Sequence, residues 1–225
     1  MIVVTGASKG LGESIALRLG ESGHRVIGLA RNISGMTIEG IACDVSSYQS
    51  VKAAARQIKK IGEPIDAVIN AAGVASMNLA VTTDAGTVQK LVQTNLVGTI
   101  YMSQLFAPIL IRQKHGSFIN FSTIAVALAL KGESVYAASK AGVEAFSRVF
   151  AREMADFNVR VNCVAPGPIR TDLLRGVSDS QINKIISQQV IKKEFQKSDV
   201  CDLVELLLDP KASSLSGQVL NIGGV

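Results

Sequence analysis

The sequence predicts an α/β protein built on one doubly wound parallel sheet, with helices on both faces. Two observations lead to this prediction. Short apolar runs alternate with longer segments of helical periodicity through all 225 residues, and the first apolar run enters a glycine-rich turn that opens a helix. Alternation of this kind is typical of parallel sheets, because each crossover helix returns the chain to the same edge. The length suits a single domain, residues 1–225.

Seven apolar runs are the predicted strands. They are Ile2–Thr5, Arg25–Leu29, Ile38–Cys43, Ala67–Asn70, Ser117–Phe121, Arg160–Val164 and Gln218–Asn221. Six segments with helical spacing of apolar residues are the predicted helices. They are Gly12–Ser22, Ser47–Ile61, Asp84–Gln113, Tyr136–Phe157, Ser180–Val190 and Ser198–Leu208. Ligands of such sheets bind beyond the carboxyl ends of the strands, so we look for functional residues there.

Composition and charge exclude several other classes of protein. Hydrophobic residues make up 48% and charged residues 18%, as in globular proteins. The longest purely apolar run, Ile124–Leu130, is too short to span a bilayer, and Met1 leads directly into a strand, so we expect a cytoplasmic protein. The net charge of +5 comes without a basic run, which argues against nucleic acid as a partner. The three cysteines lack metal-ligand spacing and are predicted to be buried thiols.

The turn after the first strand has the character of a phosphate-binding loop. Thr5–Gly12 reads T-G-A-S-K-G-L-G and leads into a helix with Ile15, Ala16 and Leu19 on its apolar side. Glycines allow a tight turn and a close approach to a pyrophosphate, which then lies at the positive helix N-terminus. Strand, turn and helix in this order predict a dinucleotide-binding Rossmann domain, although a purely structural turn is the alternative.

The end of the second strand indicates which dinucleotide is bound. An NAD-binding domain places an acidic residue there to bond the adenosine ribose, but this chain has Ala30-Arg31-Asn32. Arg31, together with Lys9 in the glycine turn, favours a ribose that carries a 2′-phosphate. We therefore predict NADP(H) as the cofactor; the alternative is that both cations are ordinary surface charges.

Two further strand ends carry candidate cofactor contacts. Asp44, followed by Val45, ends the third strand and could accept a hydrogen bond from the adenine amino group, or could cap the next helix. Asn70-Ala71-Ala72-Gly73 ends the fourth strand with small residues that let the backbone pass close to an adenosine. A structural turn is the alternative for this second segment.

Tyr136 and Lys140 are the candidate catalytic pair. They stand four residues apart at the start of a predicted helix, and residues at this spacing share one helical face. A cation beside a phenol stabilises the phenolate and lowers the phenol pKa, which makes a tyrosine usable as a general acid or base.

Three other segments complete the candidate site. Asn95 lies on the apolar side of the helix Asp84–Gln113, where its amide must find partners and either stabilises a bend or holds a water molecule for proton relay. Ser122-Thr123 follows the fifth strand, with Thr123 thirteen residues before Tyr136; a hydroxyl group there can bond a substrate carbonyl oxygen or stabilise a turn. Pro166-Gly167-Pro168-Ile169-Arg170-Thr171 follows the sixth strand as a rigid turn that could press on a nicotinamide.

Together these motifs resemble the short-chain dehydrogenase/reductase superfamily over essentially the whole chain, and within it the 3-oxoacyl-[acyl-carrier-protein] reductases. The matching segments are Thr5–Gly12, Asp44-Val45, Asn70–Gly73, Asn95, Tyr136–Lys140 and Pro166–Thr171. The resemblance implies that Tyr136 is the proton donor, that Lys140 binds the nicotinamide ribose and lowers the tyrosine pKa, and that Asn95 anchors a relay water. Thr123 aligns with the family's catalytic serine. The predicted cofactor-binding set is Gly6, Ser8, Lys9, Gly10, Leu11, Gly12, Arg31, Asn32, Asp44, Val45, Asn70, Ala71, Ala72, Gly73, Ser122, Tyr136, Lys140, Pro166, Gly167, Ile169 and Thr171.

The resemblance also implies an assembly and a carrier. The helices Asp84–Gln113 and Tyr136–Phe157 would pair between subunits in a homodimer or a D2 homotetramer. These two helices carry more apolar residues than one face of the sheet is expected to cover. Examples are Met102, Phe106, Ile109, Val143, Phe146 and Phe150. An acyl carrier protein is a possible partner, with Lys114 at one basic docking position and Phe157 at the other, where Arg112, Arg152 or Arg160 could substitute. The short stretch 172–197 is the predicted substrate lid.

The predicted function is the NADPH-dependent reduction of a carbonyl group, in a ketone or a 3-oxoacyl thioester, to a secondary alcohol, with fatty acid biosynthesis as one setting. The opposite direction, an NADP⁺-dependent alcohol dehydrogenase, stays open. An enoyl reductase is disfavoured, because related enoyl reductases usually separate the tyrosine and lysine by more residues. A regulator that binds NADP(H) without turnover is the alternative outside enzymes.

Overall fold

The computed structural model, which describes residues 1–174 and 176–225, contains a seven-stranded parallel sheet in the order β3-β2-β1-β4-β5-β6-β7. The strands are β1 (Ile2–Thr5), β2 (Val26–Ala30), β3 (Glu39–Ala42), β4 (Ala67–Asn70), β5 (Gly116–Phe121), β6 (Val159–Ala165) and β7 (Val219–Asn221). The strand order changes direction at β1, whose neighbours are β2 and β4. A crevice opens at such a switch point, and it locates the site.

Eight α-helices within the described residues cover the two faces of this sheet. They are α1 (Gly10–Glu21), α2 (Tyr48–Ile61), α3 (Ala85–Leu91), α4 (Gly98–Gln113), α5 (Ala125–Leu128), α6 (Ser134–Met154), α7 (Asp179–Ile186) and α8 (Lys197–Leu208). One core cluster joins one sheet face to α1 and α8, and the other joins the opposite face to α2, α4 and α6.

The central strands are largely apolar because both faces of the sheet are covered. In β1, Ile2 and Val4 pack into the α1 and α8 layer while Val3 packs into the opposite layer, and all three are buried. Continuous rather than alternating apolar runs are what a parallel sheet with helices on both faces requires. The predicted fold class is therefore confirmed, and each predicted strand is present.

The helical prediction needs three corrections. The predicted helix Asp84–Gln113 is divided, because a π-helical segment, Val92–Val97, stands between α3 and α4. The predicted helix Ser180–Val190 ends earlier, at Ile186. The short helix α5 lies in the apolar run after β5 and was not predicted.

The long helical run Ala85–Gln113 has the length and apolar composition of a membrane-crossing helix. The apolar residues of this run serve the protein core, because Met102, Phe106 and Leu110 are fully buried against the sheet. It is a core helix of the α/β domain.

The apolar residues predicted to form a subunit interface are mostly core residues. Met102, Phe106 and Val143 are fully buried, and Phe150 is buried against Phe118. Their presence is explained within one chain, since α4 and α6 cover the sheet with them. These side chains therefore offer little apolar surface to a second subunit. The large apolar side chain that α6 does expose is Val149, at 57%.

The junction of β1 and α1 brings backbone directly against backbone. A Cβ atom on Gly12 would lie 2.5 Å from the carbonyl oxygen of Gly6, and one on Gly6 would lie 2.9 Å from Cα of Ala72. Gly6 also has a φ of 69°, in the region that favours glycine. Helix α1 can therefore start this close to the ends of β1 and β4 only with glycine at these positions.

We expect Gly12→Ala to lower the free energy of unfolding by about 1–3 kcal/mol, because the contact is with backbone and cannot be relieved by a side-chain rotation. Gly20→Ala in the same helix is the matched control, since nothing lies within 4 Å of its Cβ position; alanine should stabilise the helix there by up to about 1 kcal/mol. Urea unfolding of both variants measures the difference. Equal effects of the two substitutions would contradict the close-contact explanation.

Candidate active site

A cavity of about 1150 Å³ lies at the carboxyl ends of the central strands and collects most of the predicted site residues. Those that line it are Gly6, Ser8, Lys9, Gly10, Leu11, Gly12, Arg31, Asp44, Val45, Ala71, Ala72, Gly73, Ser122, Thr123, Tyr136, Lys140, Pro166, Gly167, Ile169 and Thr171. Three other predicted residues, Asn32, Asn70 and Asn95, are not among the residues that line it.

The glycine turn forms one end of this cavity. Gly10, at a φ of 68°, has open space at its Cβ position and lines the cavity together with Leu11 and Gly12 at the N-terminus of α1. A helix N-terminus with room for close approach is a suitable site for a pyrophosphate. The residues present fit a dinucleotide.

The next part of the cavity carries positive charge. Lys9 and Arg31 both line it, and both are exposed at the end of the sheet formed by β1 and β2. Asn32 takes part in a turn instead, because its side-chain oxygen accepts a hydrogen bond from the backbone N–H of Ser34 at 2.9 Å. The two cations are suited to a phosphate on the adenosine ribose.

Asp44 has a local structural role as well as a place in the cavity. Its Oδ1 accepts hydrogen bonds from the backbone N–H of Ser46 at 2.9 Å and from the Ser46 hydroxyl at 2.7 Å. Ser47, not Asp44, caps α2, through a bond to the N–H of Ser50. The expected adenine contact therefore stays a prediction, and the capping alternative is wrong.

Tyr136, Thr123 and Lys140 line the opposite end of the cavity. The Thr123 side chain lies close enough to the Tyr136 phenol to lower its pKa, and the Lys140 ammonium group donates to the carbonyl oxygen of Phe121 at 2.8 Å. Phe121 ends β5, and Thr123 lies two residues further along the chain. The end of β5 therefore positions the two groups that lie against Lys140 and Tyr136 of α6.

The pKa values of this pair are set first by burial. The pKa of Tyr136 is raised to about 12: burial is the largest cause, the Glu133 carboxylate also raises it, and the Thr123 hydroxyl lowers it. Burial lowers the pKa of Lys140 to about 8. The Tyr136 pKa is thus raised rather than lowered, and Lys140 is not among the groups that shift it, so the expectation that Lys140 lowers this pKa is corrected.

The structure separates the two hydroxyl groups that the sequence left as alternatives. Ser122 is buried, and its hydroxyl donates to Oε1 of Glu144 at 2.7 Å, while Oε2 of Glu144 pairs with Arg148 at 3.2 Å. The Thr123 hydroxyl accepts a hydrogen bond from the backbone N–H of Ala125 at 3.2 Å, which is the turn contact given as its alternative, and it lies beside Tyr136. Of the two, Thr123 is placed to contact a substrate carbonyl group.

Asn95 lies behind the cavity and connects its two sides. It is fully buried in the π-helical segment, where Oδ1 accepts from the N–H of Val74 at 2.8 Å and Nδ2 donates to the carbonyl oxygen of Val74 at 2.9 Å. Nδ2 also donates to the Ser139 hydroxyl at 3.0 Å, and that hydroxyl donates to the carbonyl oxygen of Tyr136. Asn95 thus holds the segment after β4 against the helix that carries Tyr136.

Asn70 supports the site from within the sheet. Its Nδ2 donates to Oδ1 of Asn120 at 2.8 Å, and Nδ2 of Asn120 donates to the Ser147 hydroxyl at 2.8 Å. All three side chains are buried. This chain of bonds fixes β4, β5 and α6 relative to one another and makes no direct contact with the cavity.

The segment predicted to be the substrate lid contributes apolar side chains to the cavity. Leu173, Leu174 and Ile185 from this segment line it, and Arg170 pairs with Asp179 at 3.0 Å and with Glu194 at 2.5 Å. Arg175, within the predicted lid 172–197, lies outside the described residues. Through these ion pairs, Arg170 in the turn after β6 holds two separate parts of the predicted lid segment.

Sequence reasoning missed Glu133 and most of the apolar lining. Glu133 stands three residues before Tyr136 and lines the cavity; that spacing, on one helical face, is the signal that could have found it. Val74, Met77 and Leu130 come from irregular segments, for which the sequence carries no periodic pattern.

The fold and this site define a nucleotide-dependent oxidoreductase, and the comparisons with known proteins agree. The family model described as "Enoyl-(Acyl carrier protein) reductase" matches residues 6–224. The chain belongs to this family, within the short-chain dehydrogenase/reductase superfamily, and the predicted resemblance is confirmed.

Relatives in other organisms carry more particular names. The chain is similar to the 3-oxoacyl-[acyl-carrier-protein] reductase FabG of Staphylococcus epidermidis, at 30% identity over 99% of this chain and 96% of the relative. It is 33% identical to the FabG of Pseudomonas aeruginosa, over 99% of this chain and 95% of that one. Among solved structures, the aldohexose dehydrogenase of Thermoplasma acidophilum superposes with a TM-score of 0.89 at 30% identity, covering 99% of this chain and 92% of that chain.

The buried lysine gives the site a measurable effect on stability. The pKa of Lys140 is about 8 in the folded protein against 10.5 for an ordinary lysine, so between these values the unfolded chain binds more protons. The contribution of Lys140 to the free energy of unfolding therefore rises with pH in that window. Relative to a Lys140→Met variant, we expect the unaltered protein to gain on the order of 2 kcal/mol between roughly pH 7.5 and 10.

Urea unfolding at several pH values measures this gain. The buried cysteines also respond to pH, because burial raises the pKa of Cys43 to about 11 and that of Cys163 to about 12, but they are common to both proteins and their contribution largely cancels. Lys114→Met, at an exposed position, is the control and should show no such difference. A pH-independent difference for Lys140→Met would disprove the lowered pKa.

Proposed function

We propose that this protein is an NADPH-dependent reductase that converts a carbonyl group, in a ketone or a 3-oxoacyl thioester, to a secondary alcohol. One observation carries the proposal. Tyr136, Thr123 and Lys140 line the same cavity whose other end is formed by the glycine turn, Lys9 and Arg31. A proton donor and a dinucleotide site thus share one enclosed space, as carbonyl reduction requires.

Each side chain has a distinct task in this reaction. NADPH, when bound, supplies the hydride. Thr123 donates a hydrogen bond to the carbonyl oxygen, and Tyr136, which lies beside Thr123, gives that oxygen its proton. The raised pKa of Tyr136 keeps the phenol protonated and ready to donate, and on the resemblance Lys140 binds the nicotinamide ribose. Asn95 holds the Tyr136 helix in place and, on the resemblance, anchors a relay water.

Three other functions receive less support. Oxidation of an alcohol with NADP⁺ uses the same groups in reverse, and the name of the Thermoplasma relative, an aldohexose dehydrogenase, favours that direction. An enoyl reductase, the activity in the family description, is disfavoured by the four-residue spacing of Tyr136 and Lys140. A regulator without turnover would not need Tyr136 and Thr123 side by side in the cavity.

Tyr136→Phe should leave NADPH binding intact and lower kcat by about 10²–10⁴-fold, because only proton transfer is lost. Binding is measured by NADPH fluorescence and turnover by oxidation of NADPH with a panel of ketones and 3-oxoacyl thioesters. Tyr101→Phe is the matched control, since Tyr101 packs against Tyr48 away from the cavity. If the Tyr136→Phe enzyme kept more than about a tenth of the rate, Tyr136 would not be the proton donor.

Arg31 and Lys9 should select NADPH over NADH through charge-assisted hydrogen bonds to the 2′-phosphate, each worth roughly 1.5–3 kcal/mol. The double substitution Ala30→Asp with Arg31→Ala should therefore shift the ratio of kcat/KM values toward NADH. Arg56→Ala, on the exposed side of α2, is the control and should leave the ratio unchanged. Equal use of both cofactors by the unaltered protein would refute the argument.

We also propose a homodimer or homotetramer, resting on the family alone, and weak dependence on an acyl carrier protein. Lys114 is exposed, but Phe157 stands at the second docking position. Arg160 cannot substitute there, because its guanidinium group donates to the carbonyl oxygens of Leu207, Ala212 and Leu215. Arg112 and Arg152 remain exposed and available.

A further inference from the structure

The carboxyl group of Glu133 takes no part in the proposed carbonyl reduction. Glu133 is the residue before α6, is only 7% exposed, and lines the cavity beside Tyr136. Its charge is close enough to Tyr136 to raise the pKa of the phenol. A carboxyl group at this place faces any substrate that reaches the tyrosine.

No structural duty accounts for this carboxyl group. Glu133 stands at the N-cap position of α6, yet its side chain makes no capping hydrogen bond. Within residues 1–174 and 176–225, no hydrogen bond or ion pair joins the carboxyl group to another residue. Only the backbone is bonded, through its N–H to Leu130 and its carbonyl oxygen to Ala137.

A buried acid without a donor is costly to the folded protein. The cost appears in the structure as a raised pKa of Glu133, caused by burial. Apolar side chains also line this cavity, among them Ile124, Leu130 and Leu174. A hydrogen-bond donor on the bound substrate would relieve this cost, as no described side chain does.

We infer that Glu133 accepts a hydrogen bond from a substrate hydroxyl group next to the reacting carbonyl, so that the substrates are α-hydroxy ketones and the corresponding vicinal diols. This inference rests on the proposed carbonyl reduction and narrows it. A 3-oxoacyl thioester offers only acceptor oxygens beside its ketone, which an ionised carboxylate repels. An amino ketone would bring a second cation into a cavity that already buries Lys140, and burying that charge costs more than burying a hydroxyl group.

The test compares 1-hydroxybutan-2-one with its methyl ether, 1-methoxybutan-2-one, in which a methyl group replaces the donor hydrogen. The unaltered protein should have a kcat/KM at least about tenfold higher for the hydroxy ketone, the size expected for a hydrogen bond to a charged group. Glu133→Leu should abolish that preference, while Glu133→Gln, which keeps an acceptor oxygen, should retain part of it. Glu153→Leu, on the exposed side of α6, should leave the preference intact.

Calorimetric binding of butane-1,2-diol and its 1-methyl ether to the NADP⁺ complex provides a readout that needs no turnover. If no ketone is reduced but the diol binds more tightly than the ether in a Glu133-dependent manner, carbonyl reduction fails and the inference about Glu133 stands. If ketones are reduced but the preference survives Glu133→Leu, the inference fails alone. A preference for 1-aminobutan-2-one or for a 3-oxoacyl thioester mimic over the hydroxy ketone would also overturn it.

Discussion

The rest of the structure depends on the contact between backbones where β1 turns into α1. Gly12 approaches the carbonyl oxygen of Gly6, and Gly6 approaches Ala72 after β4, at distances that leave no room for a Cβ atom. This contact anchors the N-terminus of α1 at the switch point of the sheet, and it leaves the segment after β4 as a second wall. The cavity is the space between these two walls, so its position follows from the steric properties of two residues.

A second constraint connects the dinucleotide end of the cavity to its reactive end. The side chain of Asn95 bonds both polar groups of the Val74 backbone and reaches the start of α6 through Ser139. The bond to Ser139 is buried and the two bonds to Val74 are partly buried, and an unmade hydrogen bond at such positions is costly. The distance between the two ends is therefore maintained by buried polar contacts rather than by apolar packing, which tolerates small displacements better.

The sequence could predict what depends on local pattern and chain order. The apolar runs of β1 and β4 and the glycines at Gly6 and Gly12 specify a parallel sheet and its switch point, and strand ends then collect Thr123 and Arg31 at one edge. The remainder depends on surroundings that chain order does not reveal. The hydroxyl of Ser122 turns toward Glu144 because that acid is buried beside it, and the pKa of Tyr136 rises because water is excluded, which no spacing of residues discloses.

The π-helical segment has a consequence for how this active site can change during evolution. Such a segment accommodates one residue more than an α-helix would over the same length, and the carbonyl oxygen of Asn95 accepts a hydrogen bond from the Thr99 hydroxyl at 2.8 Å. Substitutions within the segment leave the chain register intact, whereas loss of a single codon would rotate every upstream helical side chain by about 100°. When the lost codon lies after Asn95, Asn95 would rotate away from Val74, and the helix would still have a continuous ladder of backbone bonds. Point mutations therefore change the side chains of this site one at a time, whereas a deletion in the segment displaces Asn95 in a single step.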